Sequence, residues 1–160
     1  MMNQPITADT IQTQISGDIH ACNTLLELLD KEQDALQSRD AESLAEIIDQ
    51  KLQPLTHLEE SAKQRASWAN ISEPEKFSEK WNAMLSKLAT GTIKDDWETL
   101  KKLTKECQYK NEVNGKILGR QQQVYGRLLE LMRGQTKAPT LYTASGTATS
   151  NQSSFKVDEA

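Results

Sequence analysis

The chain has 160 residues, 36% of them apolar and 26% charged, with a net charge of −4, which suits one domain with a narrow core and a wet surface. Seven Gly and four Pro gathered at a few places exclude an all-β fold, which needs regularly spaced turns. The acidic balance, without Lys/Arg clusters interleaved with aromatics, excludes the footprint of a nucleic-acid binder, and apolar runs of three or four residues exclude a membrane span.

The N-terminus, Met1-Met2-Asn3-Gln4-Pro5, has neither a basic segment nor an apolar h-region, so no signal peptide is expected and the location expected is cytoplasmic. A first helix is predicted over about 8–38. Thr7 is its N-cap, and Ile6 and Ile11 form a hydrophobic staple. Ile11, Ile15, Ile19, Cys22, Leu26, Leu29 and Leu36 recur at helical spacings and make one apolar stripe. The stripe loses phase at Ser38-Arg39-Asp40, where either Asp40 caps a new helix or the helix continues through a stutter.

Leu44, Ile47, Ile48, Leu52, Leu55, Leu58 and Ala62 restore the stripe in a second helix over about 40–70. Pro54 lies inside it and cannot donate to the carbonyl of Gln50, so a kink or restart is expected. Ser72 and Glu75 form a capping-box pattern, with Pro74 tolerated in the first turn. Phe77, Trp81, Met84, Leu85 and Leu88 then give a short third helix over about 73–90, closed by Gly91 as C-cap. Thr92 and Asp95 repeat the capping pattern before a last helix over about 93–133.

In that helix an alternation of three and four residues picks out Ile93, Trp97, Leu100, Thr104, Cys107, Asn111, Asn114, Leu118, Gln121, Tyr125, Leu128 and Met132, a coiled-coil seam of about five heptads. Its middle is polar, and Gly115, Gly119 and Gly126 each cost roughly 1 kcal/mol relative to Ala. Two readings of this seam hold together. Buried Asn fixes register and pairing, and a seam unsatisfied within its own bundle leaves a groove in which another helix docks. After Gly134, residues 135–160 are polar and aperiodic, so a tail disordered when free is expected. The fold class is therefore all-α, an elongated antiparallel bundle or coiled coil of three to four helices over 1–134, followed by that tail.

Enzyme signals are poor. His20 and His57 lack partners at metal-ligand spacing and read as helix-surface or boundary residues. Phosphate loops, nucleophile elbows and Cys-x-x-Cys motifs are missing. Glu59-Glu60 and Asp95-Asp96 are adjacent pairs that point to different helix faces. Cys22 and Cys107 both fall on apolar stripes; a structural disulfide is one reading, and two buried reduced thiols the preferred one. No catalytic residue, metal or cofactor is expected.

Three stretches resemble the FlgN family of flagellar export chaperones. The first runs from Leu25-Leu26-Glu27-Leu28-Leu29-Asp30 through Ala35-Leu36 and Arg39-Asp40 to Lys51. The second is Cys107, Asn111, Asn114 and Gly115 followed by Ile117-Leu118, and the third is Leu141-Tyr142-Thr143-Ala144-Ser145-Gly146. The resemblance implies a non-enzymatic type III export chaperone. Such a protein binds the C-terminal helical regions of the hook-associated proteins FlgK and FlgL, prevents their premature polymerisation and degradation, and delivers them to the export gate. Carried onto this sequence, it assigns client binding to Asn111, Asn114, Gly115, Ile117, Leu118, Val124, Leu128, Leu131 and Met132, and the gate contact to Tyr142. The competing readings are a chaperone of another type III substrate, such as the filament-cap protein, and a coiled-coil adaptor without a client.

Overall fold

The structure is a computed structural model, and it describes residues 6–69, 76–88, 90–134, 141–142 and 148–149. Four helices are formed: α1 (Ala8–Ser38), α2 (Ala41–Trp68), α3 (Phe77–Leu88) and α4 (Gly91–Met132). The all-α class is thus what the described chain adopts. The capping pattern at Ser72 and Glu75 lies outside the described residues. So does most of the tail, in which only a two-residue antiparallel pair is described, β1 (Leu141–Tyr142) against β2 (Ala148–Thr149). The chain divides into two units, Met1–Ile117 and Leu118–Ala160.

The first helix starts where Thr7 accepts a hydrogen bond from the Thr10 N–H, satisfying one of the orphan donors of the first turn. Of the two readings at residues 38–40, the structure takes the turn. Arg39 adopts the left-handed region at φ 57, and the Asp40 N–H bonds the Ala35 carbonyl while the Arg39 N–H bonds that of Leu36. This is a Schellman ending in which Arg occupies the place usually taken by Gly. Asp40 then caps α2 by accepting from the Ser43 N–H at 3.1 Å. A two-residue connection of this kind folds α2 back antiparallel along α1.

Two expectations are corrected. The helix α2 runs unbroken through Pro54, whose ring is buried, so no restart occurs. Gly91 is the first residue of α4 rather than the C-cap of α3, and it is not among the residues with positive φ. The Lys94 N–H bonds the Thr90 carbonyl there, so the helix begins two residues earlier than Thr92 suggested.

In the first unit α2 and α4 both pack along the buried seam of α1, and Arg65 of α2 reaches Trp97 of α4. Ile11, Ile15, Cys22, Leu25 and Leu29 of α1 form one core with Trp81 and Leu85 of α3 and Ile93, Leu100 and Cys107 of α4. Leu28, Ala35 and Ile47 form a second cluster near the α1–α2 turn. The pairs Gln12–Asp96, Cys22–Cys107 and Leu29–Asn114 advance together along both chains. Hence α4 runs parallel to α1 and antiparallel to α2, and α3 packs Trp81 onto Trp97 with ring centroids 5.3 Å apart.

Candidate functional site

The seam of α1 is a strict three–four alternation through Ile11, Ile15, Asp18, Cys22, Leu25, Leu29, Glu32 and Leu36, all buried. Two of its eight members are acids. The facing seam of α2 carries Lys51 and Arg65, spaced like Glu32 and Asp18 but in reverse order. Lys51 Nζ lies 3.1 Å from both carboxylate oxygens of Glu32, and Arg65 Nη1 bonds Asp18 Oδ2. Arg65 also donates to Gln14 Oε1 at 3.2 Å and stacks over the Trp97 ring of α4 at 5.3 Å. His57 Nε2 lies 3.2 Å from Asp18 Oδ1, an oxygen that otherwise has no hydrogen-bond partner. His57 passes close over Gly17, where a Cβ would meet its Nε2 at 3.4 Å, an ordinary contact distance.

These ion pairs explain why α2 buries the face it does. The row Ile48, Leu52 and Leu55, expected on the buried stripe, is 45–60% exposed, while Pro54, Ser61 and Arg65 face inward. Turning α2 by one residue would bury the apolar row against Asp18 and Glu32. It would leave two carboxylates enclosed without counter-charges, at several kcal/mol each.

The helix α4 joins these layers. Asn114 is buried and its Nδ2 donates to the Leu29 carbonyl and to Glu32 Oε2, both at 2.9 Å. A charged carboxylate, an ammonium and an amide from three helices therefore complete one another, which sets the register of α4 on α1. Further along, Lys110 Nζ is 2.5 Å from Asp30 Oδ1, and that hydrogen bond raises the lysine above its ordinary value. Cys22 and Cys107 are free and buried. Cys107 Sγ donates to the Cys22 carbonyl at 3.6 Å, and the neighbouring thiol and burial push it well above the ordinary thiol range. Reduced, enclosed thiols are the preferred reading of the two, and the structure holds them in that state.

Of the residues assigned to client binding, those of the first unit take different positions. Asn111 stands exposed, Asn114 is buried in the layer just described, and Ile117 is half-buried. A Cβ added at Gly115 would meet nothing within 4 Å. On the stripe itself Leu103, Lys110 and Ile117 turn partly inward in place of Thr104, Asn111 and Leu118.

In the second unit the character of α4 reverses. Leu118, Val124, Tyr125, Leu128 and Leu129 are each about half exposed, Leu131 is 64% exposed and Met132 84%. At 3.6 residues per turn these side chains sweep an arc of ~160° on one side of the helix. Gln121 stands in the middle of that arc, half-buried. Gly119 and Gly126 lie on the opposite side of the helix, ~140–160° from Gln121 by the same count, and have no heavy atom within 4 Å of a built Cβ. The helix closes with Gly134 at φ 73, its N–H bonded to the Leu131 carbonyl. Tyr142 belongs to β1, and its side chain lies outside the described residues.

The polar layers were missed by reading apolar residues alone. A signal for them existed. Extending the alternation from Ile11 and Ile15 through Cys22 and Leu29 places Asp18 and Glu32 in the seam, and two bases at matching separation follow on α2. Among the described residues no group of three His, Cys, Asp or Glu side chains is arranged to hold a metal, and no helix is long and apolar enough to cross a membrane. A family model described as FlgN protein matches residues 1–150. No curated protein and no solved structure matches the chain.

Proposed function

The chain belongs to the FlgN family, whose members are flagellar export chaperones rather than enzymes, and we propose that its clients are the hook-associated proteins FlgK and FlgL. In this reading it acts in the cytoplasm. It binds the C-terminal helical regions of those proteins, keeps them from premature polymerisation and degradation, and passes them to the export gate. Residues 1–134 form the chaperone domain and 135–160 its tail.

One observation carries the reading. The last turns of α4 present Leu118, Val124, Tyr125, Leu128, Leu131 and Met132 largely to solvent, on a helix whose first two-thirds are held in register by buried polar contacts. Isolated exposed apolar residues are ordinary, whereas a contiguous arc of them marks an interaction surface. A partner helix laid along it is the familiar helix-in-groove mode. Ile117, Gly115 and Asn111 of the first unit are assigned to the same client contact, and Asn114 fixes the register of α4 on α1. Tyr142 is assigned the gate contact because it joins an aromatic ring to a hydroxyl.

The test is calorimetric titration of the full chain with the C-terminal segments of FlgK and FlgL. Micromolar or tighter binding, absent for an unrelated amphipathic helix, is the expected result. Binding to neither segment would overturn the assignment of clients.

A further inference from the structure

The exposed end of α4 differs in charge from the rest of the molecule. Residues 118–134 contain Arg120, Arg127 and Arg133 against one acid, Glu130, a net of +2. Since the whole chain carries −4, the remainder carries −6. The arginines are exposed, and their positions follow the apolar arc. Arg120 stands four residues before Val124 and Arg127 four before Leu131, so both lie along one edge of it. Arg133 stands four after Leu129, on the opposite edge. Glu130 sits on the back of the helix, away from both edges by the same angular count.

We propose that the partner helix docked on this face carries Asp or Glu beside its apolar stripe, so that the arginines select an acid-flanked amphipathic helix. The inference rests on the client-binding reading and adds the chemistry of the client to it. Three arginines fall short of the roughly four to eight clustered bases that hold a segment on anionic lipid. An exposed apolar arc edged by charge on both sides suits an amphipathic partner helix instead.

Two designed peptides test the rule. Both have leucine at i, i+3, i+4 and i+7; one has Glu at the flanking positions and the other Lys. The full chain should bind the Glu-flanked peptide about tenfold more tightly at low salt. At about 1 M salt, where screening acts over ~3 Å, the difference should vanish. The double variant Arg120→Glu/Arg127→Glu, checked for unchanged helical circular dichroism, should invert the preference, and Arg120→Lys/Arg127→Lys should retain it.

Equal affinity for the two peptides would overturn the charge rule and leave the client reading standing. A Glu-flanked preference alongside failure to bind FlgK or FlgL segments would do the reverse. Binding to phosphatidylserine vesicles with neither peptide bound would assign the face to lipid and overturn the proposal. So would a concentration-dependent mass, abolished by the double variant and without peptide preference, which would assign the face to a second copy.

Discussion

Replacing Leu131 by Asp separates the client-binding reading from a purely structural one. Leu131 is 64% exposed in the free chain, so folding uses little of its apolar surface and binding has about two-thirds of it left to cover. Complete burial of a leucine side chain is worth about 1.5–3 kcal/mol, so the covered share contributes about 1–2 kcal/mol to a complex. At 1.4 kcal/mol per decade this is about a 5- to 30-fold loss of affinity for Leu131→Asp, to which desolvation of the new carboxylate adds. Stability should change by about 0.5 kcal/mol or less, as for other surface substitutions. The control is Leu29→Ala in the core, where the side chain is 1% exposed. It should lower stability by about 2–5 kcal/mol and leave the affinity of the folded fraction unchanged. Titration with client segments and urea unfolding by circular dichroism, run on both variants, read the two quantities independently. Unchanged affinity for Leu131→Asp with an intact helical spectrum would refute the argument.

The remaining predictions concern the bundle that holds α4. Arg65→Leu leaves Asp18, which is 0% exposed, without its guanidinium and should cost about 3–5 kcal/mol in urea unfolding; Asp18→Leu/Arg65→Leu should recover most of it. A loss below about 1 kcal/mol for the single variant would mean that the pair behaves like one at the surface. The Ser43 hydroxyl and N–H hold Asp40 below its ordinary value, so its capping contribution is present above that value and fades as pH falls through the lowered one. The difference in Tm between the wild type and Asp40→Ala should therefore shrink below about pH 4, and a difference independent of pH would exclude the charged cap.

How much of this was legible in the sequence depends on the signal each feature leaves. The helices of the first unit announced themselves through period and caps. Thr7 and Asp40 are caps that work locally, by side-chain oxygens meeting nearby N–H groups. Gly91 misled because a glycine between two helices fits the end of one as well as the start of the next, and only its backbone angle distinguishes them. Of the kink and the restart that Pro54 left open, the restart does not occur, because one lost hydrogen bond and a local clash are outweighed by packing along a 28-residue helix. The exposed end of α4 was legible as an unusual stretch, since glycine, glutamine and leucine mixed on one helix satisfy no single core.

The helical class, the N-cap of α1 and the presence of a last helix with a polar middle follow from the amino-acid order, which left the turn after α1 open between a cap and a stutter. Local hydrogen bonding and apolar period decide those features, and both are written in neighbouring residues. Which face of α2 turns inward was decided by the tertiary structure alone. The choice rests on Asp18 meeting Arg65 and Glu32 meeting Lys51, contacts between residues 47 and 19 positions apart. The same holds for Asn114, which reads as a polar fault in an apolar seam until Leu29 and Glu32 are brought beside it. Buried charge is tolerated only with its partner present, and the partner is supplied by folding.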